Sequence, residues 1–307
     1  MTKSDSDSTT SPRSVVTVSA PAKINLVLRI LDRRPDGYHN LWSIMQTVAL
    51  EDELQIRLAP HRNDIQLRCD AEQLAADQSN LVYRAAAAVL ELAQRTIGLD
   101  IQLLKRIPMG AGLGGGSSDA AATILGLNRL CHLGWSIAQM AEVGQPLGSD
   151  VPFFLFAPSG VVAGRGEAVK PIAIGERRWV VLVNPGFGVE TKWAYQELAK
   201  TRGEVRPLSP IHEDLDRKAC ATWAQLVAAA ENDFEAPVFA SHESLRRIKQ
   251  TLLAQGAELA LLSGSGATVF GLFHDEATAC NAQAQFAQEK QLKVFVVPTC
   301  SGPLAVR

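Results

Sequence analysis

The spacing of apolar and polar residues changes period along the chain, and each change marks an expected element. Two β-rich runs, Val15–Val18 and Ile24–Leu31, open the chain, broken by Pro21. DRRPDGYHNL follows as a turn with Asp36-Gly37 at its tip, and LWSIMQTVAL and DELQIRLA read as further strands. SNLVYRAAAAVLELAQRTIG predicts a helix, with Asn80 as its cap and Gly98 at its exit. LDIQLLKRIP alternates apolar and polar side chains, as a strand does. A glycine-dense stretch then leads into a helix. SIAQMAEVGQPLGSDVPFFLF predicts a short helix, a turn at Gly148 and a buried strand or helix start, and SGVVAGRGEAVKPI reads as a hairpin.

The pattern shifts after that. RWVVLVNPG is a buried strand, KWAYQELAK a helix, and TRGEVRPLSPIHED a polar surface connector leading to helices that end near Gln255. AELALLSGSGATVFGLF reads strand, glycine turn, strand; EATACNAQAQFAQEK is helical and LKVFVVPT a closing strand. The expected organisation is a disordered tail over residues 1–14, a first domain over 15–170 and a second over 171–307. The tail is polar, lacks the apolar segment of a secretory signal and carries Asp5 and Asp7, unlike an organellar transit peptide.

Composition narrows the classes. A formal net charge of −2 argues against a general nucleic-acid or membrane-surface binder, and no apolar run approaches a membrane span. The five cysteines are scattered with no Cys-x-x-Cys pair, which fits reduced thiols in a cytoplasmic protein. The six histidines form no cluster that suggests zinc.

The chemistry concentrates in PMGAGLGGGSSDAA, where five glycines fall within residues 110–116. Gly110 through Gly115 fits G-x-G-x-x-G, so a dinucleotide-binding oxidoreductase is one reading. However, CHLGWSIAQMA, at the spacing where a ribose-binding acid belongs, has none. The same residues begin a P-loop pattern, but Gly116 stands where its lysine belongs. Either way, glycines let backbone amides converge, and a helix starting near Ser117 or Ser118 adds unpaired amides and a positive dipole end. Together they make a phosphate cradle, with Asp119 expected to point away from it. The serines are candidates either to cap the helix or to donate to phosphate oxygens.

PMGAGLGGGSSDAA resembles the phosphate loop Pro-x-x-x-Gly-Leu-Gly-x-x-Ser-Ser-x-Ala of the GHMP kinases. APAKINLVLRILDRRPDGYHNL and LGSDVPFF resemble the branch of that family that phosphorylates a cytidine-diphosphate-linked methylerythritol, and LLSGSGATVFGLF resembles its C-terminal glycine motif. These stretches stand in family order over residues 20–273. The resemblance implies an α+β, two-domain fold. The first domain would be like domain 2 of ribosomal protein S5 and the second ferredoxin-like, with the active site in the cleft between them. It implies ATP-dependent phosphorylation of the 2-hydroxyl of a small cytidyl substrate on a non-mevalonate route to isoprenoid precursors. It suggests no nucleic-acid or membrane partner, and a monomer or weak homodimer.

The resemblance also assigns residues. Asp150 becomes the base, although an Asp before Pro152 is also a common helix cap. Lys23 becomes its catalytic partner, although alone it reads as a solvated strand residue. Asn25, two positions on, shares the face of Lys23 and would touch the polyol. Tyr38 would stack on cytosine and His39 bond its edge, against the plainer reading of an aromatic turn. Thr191 and Tyr195, four apart on one helix face, would contact substrate and form a second aromatic wall, or simply cap and pack. ATP would lie along Pro108, Met109, Gly110, Ala111, Gly112, Leu113, Gly114, Gly115, Gly116, Ser117 and Ser118, with Asn80 and Lys105 as further contacts. Gly264-Ser265-Gly266 would shape the cleft. No protein metal site is assigned: Ser118 has no partner glutamate in the motifs, so Mg²⁺ is expected to arrive on ATP and keep mostly water ligands.

Overall fold

A computed structural model describes residues 14–34, 39–156, 158–202 and 206–307. The Asp36-Gly37 turn, Tyr38 and all of the expected tail except Ser14 lie outside the described residues. The first sheet begins with a long antiparallel pair, β1 (Val15–Arg33) and β2 (His39–Ala59), followed by β3 (Ile65–Cys69). After α1 (Leu81–Leu92), β4 (Gly98–Leu104) inserts between β2 and β3. Then come α2 (Gly115–Leu130), α3 (Ile137–Gly144), α4 (Val151–Phe156) and the antiparallel pair β5 (Ser159–Gly164) and β6 (Ala168–Pro171), which extends the sheet from β2.

Pro21 does not break β1, as the pattern suggests. The strand passes through it with a register shift between Pro21 and Ala22, the kind of irregularity that tolerates a missing N–H. The shift divides the strand's duties. Val16 and Val18 pack with Leu54, Ile56 and the alanine-rich faces of α1 and α2. Ala22, Ile24 and Leu26 instead pack with Val180, Leu182 and Phe270 of the second sheet. Lys23 and Asn25, at the intervening positions, are thereby buried at the junction.

β7 (Ala173–Ile174) pairs with a later strand, and β8 (Trp179–Asn184) starts the second sheet. α5 (Thr191–Thr201), α6 (Pro210–Arg217), β9 (Cys220–Ala221), α7 (Trp223–Ala229), β10 (Glu231–Asn232), α8 (Glu235–Ser241) and α9 (Glu243–Ala254) follow. β11 (Leu259–Leu262), β12 (Val269–Phe273), α10 (Glu276–Ala284) and β13 (Lys293–Pro298) complete the order. The second sheet is antiparallel in the order β11-β12-β8-β13, a βαββαβ arrangement of the expected ferredoxin-like kind.

Later segments of the chain are also stitched back onto the first sheet. β10 pairs in parallel with β1, and the Arg307 N–H donates to Thr17 O at 2.8 Å. The connector is anchored at its edges. Arg202 and Arg206 lie 3.5 and 3.2 Å from the buried carboxylate of Asp233, which also receives Arg29. All five cysteines are free, and no described helix is long and apolar enough to cross a membrane.

Candidate active site

The glycine loop turns through positive φ at Gly110, Gly112 and Gly114 (61°, 76° and 70°), values that a side chain would strain. Three successive carbonyls point into the protein. Ala111 O accepts the Thr268 N–H (3.2 Å), Gly112 O the Ser263 hydroxyl (2.9 Å) and Leu113 O the Lys23 N–H (2.9 Å). With the carbonyls engaged, the loop's amides are left for the other side. That side is a cavity of about 380 Å³, lined by the loop from Pro108 to Ser117 and by Asn80, Lys105 and Asp119, among others; Asp119, drawn to Lys105, thus borders the cradle it was expected to point away from.

α2 begins at Gly115, and its N-cap is the left-handed Gly114, with no side-chain cap. Ser118 N donates to Gly114 O (2.9 Å), so both serines lie inside the first turn. This corrects the expected start at Ser117 or Ser118 and removes the capping alternative for the two serines. Ser117 lines the cavity, whereas Ser118 is fully buried and its hydroxyl has no hydrogen-bond partner among the described residues.

Asn80 caps α1, accepting from Val82 N (2.9 Å) and donating to Ala75 O (2.7 Å), so its polar atoms already serve the fold beside the cavity. The ammonium of Lys105 is buried between the carboxylates of Asp52 and Asp119, the latter at 2.8 Å. Burial pushes Asp119 up to about 7; the Lys105 charge opposes that shift and the Asp52 charge adds to it. Burial would lower Lys105, but the two carboxylates outweigh it and hold the ammonium above its usual value.

Lys23 runs beneath the loop. A Cβ on Gly114 would come within 3.0 Å of its Cγ, and one on Gly264 within 3.4 Å of its Nζ. Its ammonium donates to Asn25 Oδ1 (2.7 Å) and faces Asp150 Oδ2 at 3.6 Å. Asn25 is held in turn, accepting from Gly264 N (3.0 Å) and donating to Ser43 Oγ (2.9 Å). Lys23 is 4% exposed, which sets aside the reading of a solvated strand lysine. Asp150 stands immediately before α4 with its side chain 28% exposed, so one face of the carboxylate is open.

That open face looks into a second cavity of about 620 Å³, lined by Asp150, Arg33, His39, Arg165, Thr191 and Tyr195, among others. The His39 and Tyr195 rings stack at 4.9 Å, and Phe234 meets Tyr195 edge-on. Two rings at that distance leave no gap for a third, so a base must lie against an outer face or part them. Burial, then the charges of Arg33 and Arg202, hold His39 below its usual value, so it is a neutral donor or acceptor at pH 7. Thr191 is not the cap of α5, a place taken by Glu190; its hydroxyl meets Ser265 Oγ at 3.0 Å, tying the helix to the second glycine turn.

Residues 80–157 match the family described as GHMP kinases N terminal domain, and residues 211–291 the one described as GHMP kinases C terminal. The 4-diphosphocytidyl-2-C-methyl-D-erythritol kinase of Geobacter metallireducens is 42% identical over 92% of this chain and 98% of its own length. The chain belongs to the GHMP kinase family. A crystal structure of 4-(cytidine 5′-diphospho)-2C-methyl-D-erythritol kinase superposes on this GHMP kinase with a TM-score of 0.77 and 32% identity, covering 93% of this chain and 100% of that one. Homoserine kinase from Cytophaga hutchinsonii shares the fold at a TM-score of 0.75, with 17% identity over 97% of this chain and 98% of its own.

The described parts of these motifs meet in one place, but sequence reasoning missed what supports them. Asp52, Ser43 and Ser263 bond to the loop or to its neighbours from distant segments. Only Asp52 left a trace in the pattern. It occupies an inward position of β2, in phase with Leu50, Leu54 and Ile56, where an apolar residue is expected.

Proposed function

We propose that this kinase transfers the γ-phosphoryl group of ATP to the 2-hydroxyl of 4-diphosphocytidyl-2-C-methyl-D-erythritol, a cytosolic step towards isoprenoid precursors. The observation that carries the reading is the Lys23–Asp150 couple, 3.6 Å apart, lying between the glycine-loop cavity and the aromatic one. In this reading the triphosphate rests on the amides of residues 110–117, and the cytidyl end lies with His39 and Tyr195. Asp150 takes the proton of the acceptor hydroxyl as its oxygen attacks the γ-phosphorus and the bond to the departing ADP breaks. Lys23 orients the carboxylate and offsets charge on the transferring group. Thr191 lines the aromatic cavity, where a polyol would reach it, whereas Asn25 is buried, lines neither cavity and would act through Lys23 rather than by touching substrate.

Among the described residues no three His, Cys, Asp or Glu side chains converge into a metal cage.

Purified enzyme with ATP is expected to phosphorylate the cytidyl substrate and to leave mevalonate and homoserine untouched; turnover of either of those instead would overturn the substrate assignment. Lys23→Met is expected to lower kcat by about a hundredfold or more, with smaller changes in either KM. A change confined to KM in steady-state assays would reduce Lys23 to a binding contact.

A further inference from the structure

A carboxylate with no exposed surface, at an apolar position of β2, is costly unless its interactions compensate. Asp52 gathers them all at the base of the glycine loop. Its Oδ1 accepts the N–H groups of Arg106 (2.5 Å) and Ile107 (2.9 Å), the last residues before the loop. Its Oδ2 takes the ammonium of Lys105, which reaches on to Asp119 Oδ2 (2.8 Å) one turn into α2. The loop's two ends meet across this cluster. A Cβ on Gly115 would come within 3.0 Å of Ile107 Cγ2 and 3.3 Å of Lys105 Nζ. Asp70 Oδ1 completes the hold by accepting the Lys105 N–H at 2.8 Å.

We infer that Asp52 is a positioning residue for the phosphoryl donor, clamping the entry strand of the glycine loop to the first turn of α2 so that the loop's amides keep the spacing a triphosphate needs. The inference rests on reading the loop as the ATP site. Asp52 lines neither cavity, so it acts only through the loop. Backbone amides bonded to a charged acceptor are held more firmly than by a neutral one. The loop's glycines have no side chains to fix their own geometry, so its two ends have to be fixed from outside.

The test is steady-state kinetics on Asp52→Ala and Asp52→Asn with each substrate varied in turn. Asp52→Ala is expected to raise KM for ATP about tenfold or more while KM for the cytidyl substrate stays within about twofold. Asp52→Asn keeps an acceptor for the two amides but loses the ion pair, and is expected to fall between, with a rise of about threefold. A folded alanine variant with unchanged KM for ATP, or with both KM values raised alike, overturns the clamp. Should the alanine variant fail to fold, the asparagine variant decides alone: a selective rise for ATP supports the clamp and an unchanged KM for ATP overturns it. An inactive wild-type enzyme would instead sink the functional reading on which the clamp depends.

Discussion

Asp150→Asn is expected to lower kcat by roughly a hundredfold to ten-thousandfold, the range over which a positioned general base contributes. Asparagine fills the same space and cannot accept the proton. The fold should tolerate the change. The side chain is 28% exposed, and Lys23 keeps its bond to Asn25 Oδ1 at 2.7 Å, so the ammonium is not left without an acceptor. The neighbouring phenol offers no substitute base. Burial, the larger of the two causes that raise Tyr195, remains when the Asp150 charge is gone and keeps the phenol protonated at neutral pH. KM for both substrates should move little, because the cradle and the stacked rings are untouched and asparagine keeps the shape of the cavity wall. Initial rates of ADP release with a melting curve on the same preparation check both halves. A folded variant with near wild-type kcat would show that transfer proceeds without a base at this position, as a largely dissociative transition state permits.

The parts of the site legible in the sequence were those built from consecutive residues. The glycine loop announces itself because positive φ demands glycine at Gly110, Gly112 and Gly114 within five residues. The Asn80 cap is likewise a local bond, to Val82 N. Much of the second domain was equally readable, since its strands are short apolar runs set off by helices. The true start of α2 was hidden, because Ser117 and Ser118 are better caps by propensity than Gly114. The left-handed turn that the loop needs overrode that preference. The continuity of β1 through Pro21 was hidden too: a proline reads as a break unless the partner strand shifts register to accommodate it. Least visible were bonds between segments far apart in the chain. Nothing near Ser263 says that its hydroxyl will hold Gly112 O, and nothing near Lys105 says that two carboxylates will bury it. An isolated lysine after a strand looks solvated until the topology supplies its partners.

Those distant bonds make Gly112→Ala a severe change for a single methyl group. An ideal Cβ there would sit 2.0 Å from Ser263 O and 3.0 Å from Gly266 O, both backbone atoms with no rotamer to escape through. The φ of 76° adds about 1 kcal/mol of left-handed strain for any residue with a Cβ. Either the glycine loop or the second glycine turn must retreat. Both routes break the bond from Ser263 to Gly112 O that helps hold the loop's carbonyls inward, and both disturb Gly264, whose N–H holds Asn25 beside Lys23. One added methyl group is therefore expected to reach the phosphate cradle and the acid–lysine couple together. It should lower kcat/KM for ATP by roughly a hundredfold, the scale on which small misplacements act, and lower Tm by several degrees. Gly110→Ala is the control. Its φ of 61° carries a similar strain, but its nearest neighbour is Gly188 Cα at 3.9 Å, so the new methyl group displaces nothing. If the two alanine variants matched in Tm and in kcat/KM for ATP, backbone strain alone would account for both, and the contact between the two glycine turns would have no part in presenting ATP to its acceptor.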